Sequence, residues 1–264
     1  ATLQQKQGNM RNIYTIGETV LDIVFKDQHP VTAKAGGATL NSAVTLGRLN
    51  LPVHFIGEYG MDEVGNIIDA FLKQNQVSTR YVYRYYDGKS TLALAFLNEN
   101  NDASYDFYKI YPEKRLDLTF PELQEDDIVL FGSIYAVTYE VRTKLLEFIR
   151  QANRRKAIVI YDPNFRKQHL LELPKLRPLI FENMDMADIV RGSNEDFSFI
   201  LGADDADEAW SEVSRHCSHL LYTANKKGVF VRSPDMKATF PVKKIDPVST
   251  IGAWNAPFSG MVGG

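Results

Sequence analysis

Several groups of polar and glycine residues in this sequence have the spacing of a ligand site. The first is Gly17-Glu18 followed by Asp22, directly after the apolar run Ile13 to Ile16. Ligands bind at the carboxyl ends of parallel strands, and a carboxylate there can accept hydrogen bonds from two neighbouring hydroxyl groups. Asp22 is therefore a candidate for binding a polyhydroxylated ligand, and the alternative is a solvated loop carboxylate.

Two adjacent glycines stand shortly before an asparagine at the start of an amphipathic stretch. Gly36 and Gly37 let the backbone approach a ligand closely. Asn41 can cap the helix that follows and can also offer its amide to a hydroxyl group. The alternative is a glycine turn with an asparagine cap. A second glycine-rich turn, from Gly57 to Gly65, is interpreted as a helix entry.

A third group ends another apolar run. Asp162, Asn164 and Arg166 place a carboxylate, an amide and a guanidinium within five residues of one another. Arginine suits a phosphate or a carboxylate because its planar donors bind such groups in pairs. Asp-Pro-Asn is also a common turn, so the alternative is turn chemistry alone.

Three further groups follow towards the end of the chain. Asn194 opens a predicted helix, and the segment from Thr223 to Gly228 connects two predicted strands. The glycine-containing run 249–253 opens the last segment, where backbone N–H groups at a helix start can hold phosphate oxygens. This run is not a Walker A loop, because no Gly-Lys-Ser/Thr follows it.

The elements that must position these groups follow from the apolar pattern. Short continuous apolar runs alternate with amphipathic stretches, which predicts an α/β fold with a mainly parallel sheet covered by helices on both faces. The candidate inward positions of the first two helices are Val44, Leu46, Leu49, Val64, Ile67, Ile68 and Phe71. Predicted strands are 13–16, 53–57, 128–131, 157–161, 188–190, 219–223 and 228–232, and predicted helices are 41–49, 63–73, 139–154 and one from about 194.

One stretch departs from this pattern. Tyr81, Tyr83 and Tyr85 alternate up to Asp87-Gly88, which predicts a β-hairpin at that turn. Further strands are predicted at 91–97 and 105–110. A β-rich excursion inside an α/β protein is either an extension of the sheet or a lid that excludes water from a ligand cleft.

The composition excludes several classes of protein. The chain has 264 residues, of which 44% are hydrophobic and 24% charged, and its net charge of −3 argues against nucleic-acid binding through bulk charge. Cys217 is the only cysteine, so neither an internal disulfide nor a cysteine metal cluster forms, and a reducing compartment is expected. No apolar run has the roughly 20 residues of a membrane span, and the polar start lacks a signal sequence. We expect a disordered leader at 1–11 and a cytoplasmic location.

In their order along the chain, these motifs resemble the PfkB (ribokinase-like) carbohydrate kinase family over residues 12 to about 260. The resemblance implies a doubly wound α/β kinase domain at 12–264 with a small β lid drawn from about 22–34 and 80–112. The string from Asp162 to Arg166 is most similar to fructokinases and 2-keto-3-deoxygluconate kinases. A nicotinamide-dependent oxidoreductase is disfavoured, because Gly-x-Gly-x-x-Gly does not follow the first strand.

The resemblance also implies an activity and a set of roles. The activity is ATP-dependent phosphorylation of a small sugar or sugar acid with Mg²⁺, and a homodimer through the β lid is expected. No protein residue is expected to bind a metal directly. The implied sugar-binding residues are Asp22, Gly36, Gly37, Asn41, Phe107, Lys109 and Arg166. The implied nucleotide-binding residues are Asn194, Thr223, Asn225, Gly228 and Gly252. The implied catalytic positions are Arg166, Gly252, Ala253 and Asn255.

The sequence departs from the family at the last of these positions. The family signature Gly-Ala-Gly-Asp ends in the catalytic base, whereas this chain has Gly252-Ala253-Trp254-Asn255. An amide does not take a hydroxyl proton at neutral pH. Three explanations stay open: a catalytically impaired sugar-binding relative, a damaged or misassigned tail on an ordinary kinase, or a resemblance that misplaces the base. The second is favoured, because the departure begins abruptly after Thr250-Ile251-Gly252-Ala253. We also expect the family's closing helices to be truncated at Gly264.

Overall fold

The computed structural model describes residues 11–99 and 103–242. This part of the chain contains two β-sheets and six α-helices, joined by loops and short 3-10 helices. The strands of the large sheet are β1 (Ile13–Ile16), β4 (Val53–Gly60), β5 (Val77–Tyr85), β8 (Ile128–Gly132), β9 (Ile158–Asp162), β10 (Ile189–Ser193), β11 (Leu220–Thr223), β12 (Val229–Ser233) and β13 (Met236–Phe240). The strands of the small sheet are β2 (Val20–Lys26), β3 (His29–Gly36), β6 (Lys89–Leu97) and β7 (Ala103–Ile110). The helices are α1 (Ala38–Arg48), α2 (Glu63–Gln74), α3 (Tyr139–Arg154), α4 (Leu173–Asp185), α5 (Asn194–Leu201) and α6 (Ala206–Val213).

The large sheet is mainly parallel. Its spatial order among the described residues is β13-β12-β11-β10-β9-β8-β1-β4-β5. The seven strands from β11 to β5 pair in parallel, and β12 and β13 add two antiparallel strands at one edge. The central strands are buried on both faces, which explains why they are continuous apolar runs in the sequence.

Helices cover the large sheet on both faces. In β1, Ile13 packs into a hydrophobic core with residues of α1 and α2, whereas Tyr14 and Ile16 pack into a second core with residues of α3 to α6. Residues of β8 alternate in the same way, because successive side chains of a strand point to opposite faces. The predicted α/β fold with a mainly parallel, doubly covered sheet is confirmed.

The first helix begins earlier than the sequence predicts. Gly37, with a φ of 135°, is the N-cap of α1, and the N–H of Asn41 already donates to the carbonyl of Gly37 at 2.9 Å. The prediction that Asn41 caps the helix is therefore wrong, because it lies inside the first turn. Leu49 and Ile67 are 53% and 50% exposed, so these two predicted inward positions are also wrong.

The predicted hairpin at Asp87-Gly88 is wrong as well. The alternating tyrosines belong to β5, which pairs in parallel with β4 at the edge of the large sheet, and the turn carries the chain across to β6 in the small sheet. Tyr85 explains this placement, because its buried ring packs at the strand end and its hydroxyl donates to the carbonyl of Lys89 at 3.0 Å. The second sheet is thus built from residues 20–36 and 89–110.

Two polar contacts hold the small sheet to the rest of the molecule. At its base, Asp62 accepts hydrogen bonds from the N–H and the hydroxyl of Ser90 at 2.9 and 2.7 Å, while also capping α2. Beyond β7, Arg115 Nε lies 2.5 Å from Glu58 Oε1, and the N–H of Leu116 donates to the other carboxylate oxygen at 2.6 Å. Both side chains of the ion pair are at most 6% exposed.

No helix among residues 11–99 and 103–242 is long and apolar enough to cross a membrane.

We expect Arg115→Met to lower the free energy of unfolding by about 3–5 kcal/mol, because it leaves the Glu58 carboxylate buried without its partner. Urea denaturation measures the change. Lys156→Met is the control: Lys156 pairs with Glu125 where both side chains are more than 60% exposed, so a loss below about 1 kcal/mol is expected. Equal losses in the two variants would contradict the assignment.

Candidate active site

Five parallel strands end at the same edge of the large sheet. Register pairs Ile16 of β1 with Phe131 of β8, and Gly132 with Asp162 of β9. Farther along, Ser193 of β10 pairs with Thr223 of β11. The predicted polar groups that follow these strands therefore line one edge, where α/β sheets bind ligands.

Asp22 lies on β2 of the small sheet, where it pairs with Lys34 of β3. Burial raises the pKa of its carboxyl to about 6, and the positive charge of Lys34 on the paired strand opposes the shift. A β-carbon on Gly36 would lie 2.8 Å from Asp22 Oδ2. The glycine therefore leaves room for the carboxylate, which links the first two predicted sugar-site motifs.

Gly37 is required by close packing and by its backbone conformation. A β-carbon there would lie 2.3 Å from the carbonyl oxygen of Glu18, and its φ of 135° favours glycine. Because of this contact the start of α1 packs directly against the end of β1. Asn41 is half-buried one turn into the helix.

The small sheet presents aromatic and basic side chains on the same face as Asp22. Asp22 of β2 pairs with Ala93 of β6, and Ala93 pairs in turn with Phe107 of β7. The three side chains therefore lie on the same face of the small sheet. Lys109 Nζ lies 4.9 Å from the centre of the Phe107 ring. Ala93, between Asp22 and Phe107 on this face, is fully buried.

Tyr105 belongs to the same face, and sequence reasoning missed it. Its ring stacks on Phe107 with 6.0 Å between ring centres. Burial is the largest cause of its raised pKa, the charge of Asp22 adds to the rise, and the charge of Arg166 opposes it. Tyr105 is therefore subject to the opposing charges of Asp22 and Arg166. The alternation of residues 105, 107 and 109 was the available signal.

A buried ion pair supports the turn that carries Arg166. Asp162 forms an ion pair with Arg191, with Nη1 and Oδ2 2.7 Å apart and both side chains at most 6% exposed. Asp162 Oδ1 also accepts from the N–H of Asn164 at 3.2 Å. The sequence predicted that this carboxylate would sit beside Arg166 at the ligand edge, but the structure places it in the scaffold beneath the turn.

A second buried carboxylate supports the same turn. Asp196 accepts from the N–H of Phe165 at 2.6 Å and from both the N–H and the hydroxyl of Ser193 at 2.6 Å, which makes a capping box at the start of α5. Burial and the neighbouring charge of Asp162 raise the pKa of Asp196. Sequence reasoning missed Arg191 and Asp196, since a single charge in an apolar run does not reveal its partner.

The predicted nucleotide residues lie along β10 to β12. Asn194 is the first residue of α5, and its Oδ1 is buried with no hydrogen-bond partner in the described part of the chain. Thr223 donates its hydroxyl to the carbonyl of Gly192 at 3.2 Å. Asn225 adopts a φ of 41°, and Gly228 has a φ of 107° with no room for a β-carbon beside the carbonyl of Phe240.

An unpartnered buried amide oxygen fits a donor supplied by a ligand, such as a water molecule on a phosphate-bound metal ion. Within residues 11–99 and 103–242, no group of three or more histidine, cysteine, aspartate or glutamate side chains is placed to hold a metal ion. Gly252, Ala253 and Asn255 lie outside the described residues.

The chain matches one family profile and several known proteins along most of its length. A profile of the pfkB family carbohydrate kinase matches residues 10–253. Fructokinase-1 from Zea mays is 28% identical over 261 residues, which cover 92% of this chain and 80% of that protein. Probable fructokinase-4 from Arabidopsis thaliana is 26% identical over 259 residues, which cover 93% of this chain and 79% of that protein.

Solved structures show the same fold. The fructokinase from Vibrio cholerae, crystallised with fructose, ADP and a calcium ion, superposes with a TM-score of 0.84 at 23% identity, covering 96% of this chain and 83% of that one. The aminoimidazole riboside kinase from Salmonella enterica, with aminoimidazole riboside and an ATP analogue, gives 0.82 at 22% identity, covering 96% and 84%.

We expect Asp22→Asn to stabilise the unliganded protein near pH 7.5. The pKa of Asp22 is about 6 when folded and lower when unfolded, so the folded state favours the protonated form and stability falls as pH rises from about 4 to 6. The neutral amide avoids this cost. After allowance for solvent screening, the gain is on the order of 1 kcal/mol at pH 7.5 and vanishes near pH 4.

Urea denaturation at pH 7.5 and pH 4.5 measures the difference. Asp106→Asn is the matched control, because Asp106 is an exposed carboxylate on β7 of the same sheet. It should give the same small change at both pH values. A gain for Asp22→Asn that does not depend on pH would contradict the assigned pKa.

Proposed function

The chain belongs to the pfkB family of carbohydrate kinases, and from this premise we propose that it transfers a phosphoryl group from ATP to a hydroxymethyl group of fructose or a closely similar sugar. The observation that carries the proposal is the position of Asp22, a half-buried carboxylate beside Gly36 on the face of the small sheet that also presents Phe107. The curated relatives named above are fructokinases, which favours fructose over 2-keto-3-deoxygluconate.

The sugar site is proposed to lie between the small sheet and the strand ends. Asp22 accepts hydrogen bonds from neighbouring sugar hydroxyls, and the backbone at Gly37 and the amide of Asn41 bind further hydroxyls. Phe107 and Lys109 cover the sugar from the small sheet and exclude water from it. Arg166 faces the sugar or the transferred phosphoryl group, for which its planar donors are suited.

The nucleotide is proposed to bind along β10 to β12. Asn194 lies near the phosphates, and Thr223, Asn225, Gly228 and Gly252 line the nucleotide site. A Mg²⁺ ion bound to the nucleotide supplies positive charge that offsets the charge developing on the phosphoryl group. Gly252 and Ala253 then begin the anion hole through their backbone N–H groups.

The residue at position 255 favours a second candidate function. The family places an aspartate there as the base that takes the proton of the attacking hydroxyl, and this chain has Asn255. Loss of a positioned general base costs about 10²–10⁴-fold in rate. The second candidate is therefore a sugar-binding relative that keeps the sugar site and turns over slowly or not at all.

We also propose a homodimer and a cytoplasmic location. Tyr108 and Ile110, on the face of β7 opposite Tyr105 and Phe107, are 57% and 60% exposed, and covering them with a second copy would remove apolar surface from water. Cys217 is buried as a free thiol, which suits a reducing compartment.

Calorimetric titration with fructose and a coupled assay of ADP release, performed on the same sample, test the function. We expect fructose binding together with slow turnover in the wild type. Replacing both Trp254→Gly and Asn255→Asp should raise turnover about 10²–10⁴-fold with little change in fructose affinity, because the change restores a base.

Asp22→Asn is the control for the sugar site, and it should weaken fructose binding while leaving ATP binding unchanged. Absence of binding to any sugar of a panel that contains fructose and 2-keto-3-deoxygluconate would contradict the proposed function. Tight sugar binding without turnover, not rescued at positions 254 and 255, would favour the non-catalytic relative.

A further inference from the structure

Ser133, directly after β8, has a backbone conformation that serine rarely adopts. Its φ of 58° and ψ of −173° lie in a region that is essentially reserved for glycine, and a side chain there is strained. Glycine would adopt this conformation without strain. A serine at such a position therefore calls for a contribution from its hydroxyl group.

The hydroxyl of Ser133 is directed at one carboxylate. Its Oγ lies 2.8 Å from Glu18 Oε1 and 2.9 Å from Glu18 Oε2, so its single proton is placed between the two oxygens. The backbone N–H of Ser133 donates to the carbonyl of Asp162 at 2.9 Å. This bond fixes the residue against the end of β9. The strained backbone is thus held rigidly, and it fixes the direction of the hydroxyl.

The carboxylate of Glu18 lies at the edge where the sugar is proposed to bind. Its own carbonyl packs against Gly37 at the start of α1, and its side chain reaches Ser133 directly after β8. Glu18 is half-buried, whereas Ser133 is only 7% exposed. The carboxylate therefore lies where the ends of β1 and β8 and the start of α1 meet.

The described part of the chain uses little of the hydrogen-bonding capacity of Glu18. A carboxylate offers about four acceptor positions, and the Ser133 hydroxyl supplies one proton. Among residues 11–99 and 103–242, no lysine, arginine or histidine nitrogen lies within ion-pair distance of Glu18. A partly buried carboxylate that is oriented but lacks a cation suits a ligand that brings several hydroxyl donors.

We infer that Glu18 is a second sugar-binding carboxylate beside Asp22, and that Ser133 is the positioning residue that fixes its orientation. The inference rests on the proposed function, because the ligand it requires is a polyhydroxylated sugar. Asp22 would bind the sugar from the small sheet and Glu18 from the end of β1. The two carboxylates would therefore accept hydrogen bonds from different hydroxyl groups of the sugar.

The test measures binding by calorimetry, which does not depend on turnover, with fructose and its monodeoxy analogues as probes. Glu18→Gln should weaken fructose binding about tenfold or more, the usual effect of losing a hydrogen bond to a charged group. For the analogue that lacks the hydroxyl bound by Glu18, the wild type and the variant should bind equally. Glu147→Gln, an exposed glutamate on α3, is the matched control and should leave every affinity unchanged.

Two replacements of Ser133 separate positioning from stability. Ser133→Gly removes both the hydroxyl and the strain, so the melting temperature should not fall while fructose binding weakens. Ser133→Ala removes the hydroxyl and keeps the strain, so it should weaken binding to a similar extent and melt below the glycine variant. Both should leave ATP affinity unchanged, because the contact is on the sugar side.

The outcomes distinguish the two proposals. A wild type that binds none of the sugars overturns the proposed function and with it this inference. A wild type that binds fructose, with Glu18→Gln and Ser133→Gly binding it equally well, overturns the inference alone. Weaker binding in Glu18→Gln that is the same for fructose and for every deoxy analogue also overturns it, because such a loss reports a general disturbance of the site.

Discussion

The buried ion pair between Asp162 and Arg191 is the interaction on which the ligand edge depends. It joins the ends of β9 and β10 in a place where neither charge reaches water, so each needs the other. The same aspartate accepts from Asn164 through its side chain and from Ser133 through its carbonyl. Asp162 therefore fixes both the turn that leads to Arg166 and the residue that follows β8.

Much of the fold could be predicted because the central strands are buried on both faces. Apolar runs such as Ile128 to Phe131, and the amphipathic stretch from Tyr139 to Arg154, fix element type through period and length. The alternating tyrosines before Asp87-Gly88 were misread, because local alternation and a turn signal do not say which strand lies alongside. Only the long-range pairing with β4 decides that β5 joins the large sheet.

Some residues of the candidate site could be predicted from the sequence and others could not. Glycines that allow close approach, such as Gly36 and Gly37, stand out in a sequence because few other residues fit there. Asp22 could be singled out because it follows a predicted strand, at the end of the strand where ligands bind. Arg191, Asp196 and the Glu18–Ser133 contact could not, because each depends on a partner more than 25 residues away or on a backbone angle that residue type does not signal. The sequence does not show that the backbone of Ser133 is strained, because the residue type alone does not determine φ and ψ.

The small sheet has a consequence for how this molecule can vary. Its strands come from two separate stretches of chain, and β7 contributes no residue to either hydrophobic core among the described residues. Side chains such as Tyr105 and Phe107 can therefore be exchanged without cost to the packing of the α/β domain. Substitutions on β7 can therefore change the surface that faces the proposed sugar site while the two hydrophobic cores stay the same.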